Sequence, residues 1–178
     1  MAEDTAPDLN KGTVDIRIPY GVGRFPGLKS DLLMRDEIFP VCAPSLLNTI
    51  PLRRFSDIRH HSILHDVDIS IDEPTMTWAR WFRDAGVGDV TPAGHVEFGN
   101  SVLLTEAALR GLGVALGRIS LVRDYLETGR LVRPLKISKP SDYAYYTVTS
   151  EAGAERPRVR AFLGWLRRQI QDDVFEEH

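Results

Sequence analysis

Residues 95–122, HVEFGNSVLLTEAALRGLGVALGRISLV, read as strand, helix, strand and the start of a second helix, with almost no loop between them. Val96–Phe98 is a short strand. Asn100 and Ser101 are both good N-caps, because a side-chain oxygen can accept a free backbone N–H. Leu104, Ala107, Ala108 and Leu112 recur near helical spacing. Gly111 and Gly113 suit the helix C-terminus, where a position with φ > 0 helps satisfy the last carbonyls. Val114–Leu116 is a short buried strand, and Ser120 is placed to cap the next helix. A helix that starts where a strand ends turns unpaired N–H groups toward a cleft. Such an end suits a carboxylate.

Working outward, residues 1–13 are polar and read as a loose tail. Val14, Ile16 and Ile18 alternate with Asp15 and Arg17, as in a half-buried strand. Gly21, Gly23, Pro26 and Gly27 punctuate a loop. Lys29–Cys42 reads as strand, Leu52–Ile58 as a brief helix and Ser62–His65 as strand. Thr77 heads a helix whose apolar face is Trp78, Trp81, Phe82 and Ala85. After the central stretch, Leu131–Leu135 and Tyr143–Thr149 read as strands. Pro157 opens a last helix with Val159, Phe162, Leu163, Leu166 and Ile170 on one face. Strands alternating with helices of this length predict an α/β fold with a largely parallel sheet. The chain divides into one complete lobe, residues 44–138, and a second formed by residues 14–43 and 143–172. Ligands of such folds bind at the carboxyl ends of strands.

The chain has 178 residues, 43% of them hydrophobic and 26% charged, with a net charge of −3. That is ordinary for a globular protein and gives no general attraction to nucleic acid. The single cysteine, Cys42, falls in a predicted buried strand and reads as packing rather than as a nucleophile. No apolar run approaches the roughly 18 residues that span a membrane, and no signal segment opens the chain. A cytoplasmic location is the simplest expectation.

Several constellations invite chemistry. Gly111, Gly113 and Gly117 resemble a dinucleotide loop. However, that mechanism needs glycines between a strand and the following helix, and these follow a helix. His60, His61, His65, Asp66 and Asp68 form the one cluster with metal-ligand chemistry. A single short cluster rarely supplies converging tetrahedral ligands, so neither a metal nor another cofactor is expected. No nucleophile elbow is present, and Ser101 sits in a capping context. Arg156, Arg158, Arg160, Arg167 and Arg168 make the last helix basic, most simply as a solvated face.

Three phrases in order carry a resemblance. Val14–Leu28, VDIRIPYGVGRFPGL, Glu37–Leu47, EIFPVCAPSLL, and the stretch ending GLGVALGR resemble segments of the effector-binding domain of LysR-type transcriptional regulators. The likeness is to the branch that includes the glycine-cleavage activator, and it covers roughly residues 8–172. It implies a two-lobed, periplasmic-binding-protein-like type 2 fold, one lobe complete and the other lacking its first strand and helix. It also implies a sensor rather than an enzyme. The effector would be a small anionic metabolite, a carboxylate or an amino acid. Asn100 and Ser101 would meet its carboxylate, and His65, Gly117, Tyr20 and Tyr145 would line the cleft between lobes. DNA would be reached only through a helix-turn-helix that this chain does not carry, and self-association is expected. The alternatives are a small-molecule-transforming enzyme or a standalone solute-binding protein on the same scaffold.

Overall fold

The structure is a computed structural model that describes residues 9, 14–67, 77–84, 86 and 90–175, with side chains to Ile170. The expected tail, apart from Leu9, and the positions Asp68 and Ala85 lie outside the described residues. The chain forms two compact units, Met1–Arg35 with Tyr143–His178, and Asp36–Asp142.

In the second unit the end of strand β2 (Lys29–Val41) is followed by helix α1 (Pro44–Thr49), a 3-10 helix (Phe55–His60), β3 (Ser62–Asp66) and α2 (Trp78–Asp84). Next come β4 (Gly94–Phe98), α3 (Ser101–Leu109), β5 (Val114–Arg118) and α4 (Ile119–Glu127). Strand β3 pairs in parallel with β4 on one side and β5 on the other. Strand β2 meets β5 antiparallel, with Ile38 opposite Arg118 and Val41 opposite Ala115. The parallel sheet expected from the sequence is therefore limited to β4, β3 and β5.

Successive side chains of a strand face opposite ways, and these strands are covered on both faces. Ile38, Ile63, Val114 and Leu116 face Trp78, Trp81 and Phe82 of α2, together with Phe55 and Ile58. Phe39, Val41, Leu64 and Ala115 face Leu104, Ala107 and Ala108 of α3 and Val122 of α4. Helix α2 is also tied to the sheet by a polar contact: the Trp78 indole N–H donates to the Leu64 carbonyl at 3.0 Å. A buried indole needs such an acceptor.

Local expectations differ from the structure in three places. Leu131–Leu135 forms no strand, only an isolated bridge between Val132 and Cys42; Pro134 lacks the N–H that a ladder needs. Val14–Ile18 likewise makes a single bridge, Arg17 to Val148, and Pro19 ends it. The expected helix at Leu52–Ile58 is instead the 3-10 turn. Its start is held by Asp57, whose carboxylate accepts from the Arg53 and Arg54 N–H groups at 3.0 and 3.1 Å. These bonds, Arg53 first, hold its carboxyl below the usual range.

In the first unit β1 (Tyr20–Gly21) pairs antiparallel with β6 (Lys139–Thr149), placing Tyr20 opposite Tyr145. Ser150 caps α5 (Glu151–Ala154) through the Gly153 N–H, and α6 (Pro157–Phe175) follows. The basic face of α6 is partly paired: Arg156 and Arg158 reach Asp15, and Arg167 reaches Asp31 at 3.0 Å. A cavity of about 430 Å³ between α6 and the start of β2 is lined by both Lys29 and Arg160 and by Asp31 and Glu155. It therefore presents mixed charge rather than a phosphate stripe.

Candidate functional site

Strand β3 ends at Asp66 and strand β5 ends at Arg118, both among otherwise apolar buried residues. Asp66 is 3% exposed and Arg118 7%. Side chains this polar are almost never buried without partners, since desolvating a charge is costly. Between them stands Ser101, the first residue of α3. Its hydroxyl donates to Asp66 Oδ2 at 2.5 Å and accepts from Arg118 Nη2 at 3.4 Å. These three, with Thr105, Leu116 and Gly117, line a cavity of about 10 Å³. That is room for one water-sized group.

Of the two N-cap candidates at the start of α3, one takes the role. Asn100 is the cap: its side-chain oxygen accepts from the Val102 and Leu103 N–H groups at 3.0 and 2.9 Å. Two of the N–H groups expected to meet an anion are therefore occupied, and Ser101 is freed for Asp66. Helix α4 shows the same economy. Ser120 does not cap it. The Ser120 N–H and hydroxyl both donate to Asp36, at 3.2 and 2.6 Å. Asp36 is 5% exposed and comes from β2. The starts of α3 and α4 thus each have a protein carboxylate beside them, which the positive end of the helix dipole favours.

The glycines act structurally. Gly111, at φ +74°, closes α3 with paired bonds, Leu112 N–H to the Ala107 carbonyl and Gly111 N–H to the Ala108 carbonyl. That is a Schellman arrangement. A Cβ on Gly113 would lie 2.4 Å from the Ser62 carbonyl oxygen, so its absence lets β5 approach β3.

The sequence candidates fall into three places. Ser101 and Gly117 share the small cavity, with Asn100 adjacent as cap. His65 precedes Asp66 on β3, so its side chain leaves the opposite face. There its ring meets that of His95 edge-on at 5.6 Å. Tyr20 and Tyr145 belong to the other compact unit, where their rings contact each other at 4.8 Å with Tyr143 alongside. Tyr146 packs on Phe25 instead. Among the described residues no group of three His, Cys, Asp or Glu side chains converges as a metal site. Asp36 and Arg118 were not singled out from the sequence, and Asp66 was weighed only as part of a metal-ligand cluster. For Asp66 and Arg118 the available signal was a charged residue at the carboxyl end of an apolar strand, a position from which parallel strands serve ligands.

Residues 1–171 match the LysR substrate binding domain. The chain belongs to that family. Over 167 residues this LysR domain is 32% identical to the glycine cleavage system transcriptional activator of Escherichia coli K12, covering 93% of this chain and 53% of that protein. The HTH-type transcriptional regulator DsdC of the same strain is also 32% identical, with 92% and 53% covered. The chain thus spans about half the length of the relatives it matches. Among solved structures, the effector domain of AmpR from Pseudomonas aeruginosa superposes with a TM-score of 0.73 at 23% identity, covering 94% of this chain and 77% of that one. The AmpR effector binding domain of Citrobacter freundii gives 0.73 at 24%, covering 93% and 79%. The LysR domain therefore has the α/β, periplasmic-binding-protein-like type 2 fold of those effector domains. No helix among the described residues is long and apolar enough to cross a membrane.

Proposed function

We propose that this chain is the effector-sensing part of a LysR-type transcriptional regulator, and that it binds a small carboxylate-bearing metabolite where β3 and β5 end. The observation that carries the reading is Arg118. A guanidinium at 7% exposure, beside the Ser101 hydroxyl and a small cavity, is a built carboxylate partner. Charge-assisted bonds of this kind are about twice as strong as neutral ones. The relatives named above are transcriptional regulators, which supports the sensor reading; in that reading the parent protein acts in the cytoplasm, self-associates and reaches DNA through a helix-turn-helix. The effector acts by favouring one of two conformations of the sensor, to the extent of its affinity difference between them.

Titration of organic and amino acids into the chain, followed by amide NMR shifts at β3, β5 and the start of α3, tests the site. Ser101→Ala removes one hydrogen bond near a charge and should weaken binding roughly 2- to 100-fold. Asn100, the cap, holds the helix in place in that variant. Unchanged affinity, or a ligand bound away from these strand ends, removes the assignment.

A further inference from the structure

We propose that the cavity between α6 and the start of β2 is a second small-molecule site, separate from the strand ends, and that it takes a singly charged organic acid rich in hydroxyl groups. Its volume of about 430 Å³ is within the range of small-molecule sites. The charges around it do not cancel. Arg167 is taken by Asp31 at 3.0 Å. Lys29 and Arg160 line the same space and, among the described residues, neither is in an ion pair. Glu155 is the one lining carboxylate left to face them. Two cations against one carboxylate leave one positive charge for a ligand to balance. The position of Arg160 adds a second reason. It is the fourth residue of α6, within the first turn, where the positive end of the helix dipole disfavours a cation. Of the three arginines at that end, Asp15 answers Arg156 and Arg158 but not Arg160.

Two neutral residues of the lining have no explanation in the packing of the unit itself. Thr149, at the end of β6, is 3% exposed, and among the described residues its hydroxyl has no hydrogen-bond partner. A buried hydroxyl without one is costly, and this one borders the cavity. Gly164 lies inside α6, where glycine is destabilising relative to alanine. A Cβ there would meet only the Arg168 guanidinium, at 3.7 Å, so packing does not require the glycine. Its missing side chain keeps that wall of the cavity open. Thr149 both donates and accepts, and Glu155 accepts. Ligand hydroxyls answer both, whereas a ligand ammonium would restore the surplus positive charge. A plain fatty acid would leave Thr149 and Glu155 unanswered. A sugar acid has the required charge and the required donors.

The experiment is a matched six-carbon series on the unaltered chain, followed by amide NMR: gluconate, hexanoate without the hydroxyls, and sorbitol without the charge. Gluconate should shift the amides of residues 29–31, Thr149 and the start of α6, and bind at least about tenfold more tightly than either control. Thr149→Val removes the hydroxyl and should weaken gluconate about threefold or more while the urea midpoint stays or rises. A hydroxyl bonded within the protein would instead lower the midpoint. Gly164→Leu builds into the open wall and should weaken gluconate about tenfold or more. Hexanoate or sorbitol binding as tightly as gluconate would overturn the proposal. So would gluconate shifts that are absent or confined to β3, β5 and α3, and so would a Thr149→Val chain that loses stability and keeps its affinity. Should that variant fail to fold, the ligand series and Gly164→Leu still decide the case. The site lies in the other compact unit, so its failure leaves the strand-end site standing.

Discussion

A Cβ added to Gly117 would lie 2.9 Å from Val41 Cγ2 and 3.3 Å from Val122 Cγ1. Both valines are essentially fully buried, so neither can yield cheaply. Overpacking of this kind costs about 1–3 kcal/mol. Gly117→Ala should therefore lower the unfolding free energy by that amount, moving the urea midpoint down with an unchanged m-value. A variant as stable as the parent would show that β2, β5 and α4 are less tightly joined than they are here. Such a loss would be a packing effect, with Gly117 bordering the cavity and its neighbours Asp66, Ser101 and Arg118 supplying the polar groups. Cys42 shows the same dominance of packing: burial pushes its thiol up to about 12, which keeps the nucleophilic thiolate scarce at neutral pH.

At the scale of elements, β3 and β4 bring a titrating pair together. The register sets His65 opposite Glu97 and Ile63 opposite His95. Partial burial, then the charge of His95, holds His65 below the ordinary imidazole value, against smaller opposing effects of Glu97 and Asp66. The folded state therefore binds fewer protons at His65 than the unfolded state. Its contribution to stability is complete above the unfolded value and is lost as pH falls through the window between the two. His95→Gln should move the His65 midpoint upward in an NMR titration. An unmoved midpoint would mean that the two rings do not meet in solution. This pairing was hard to read from the sequence, because it depends on the register between strands that residues 67–93 separate. Helix α3 was legible because its signals are local: Asn100 at the cap, Gly111 at the close and small apolar residues between. The role of Ser101 was not legible, because its partner Asp66 lies 35 residues away. The expected strand at Leu131–Leu135 failed for a related reason. Its apolar positions pack into the cores, and burial alone does not supply ladder partners.

Across the whole molecule the apolar interior is unevenly shared. Both large side-chain clusters, including Trp78, Trp81, Phe39 and Leu64, belong to Asp36–Asp142. The other unit buries mostly smaller groups: Ala144, Val148, Ala154 and Val159, with Leu9. It leaves Ile18, Val22, Leu32, Phe162 and Trp165 exposed, each at 41% or more. Burial of apolar surface is the main favourable contribution to folding, at about 25 cal/mol per Å². Opening free energies should therefore differ between the units. Amides in the centres of β3 and β5 should exchange slowest, near the limit set by global unfolding. Those of α5, α6 and β1 should exchange through smaller openings, faster by a factor of about 30, or about 2 kcal/mol. Native-state hydrogen exchange at increasing urea measures this directly. The two sets of amides should approach a common limit only near the main transition. Equal protection throughout would mean that the ion pairs of Asp15 with Arg156 and Arg158, and the β1–β6 pairing, stabilise the first unit as well as two aromatic-rich cores stabilise the second. Exposed ion pairs contribute about 0–1 kcal/mol each, so the expected order places unfolding of the α6 unit first and leaves the strand ends around Asp66 and Arg118 intact until last.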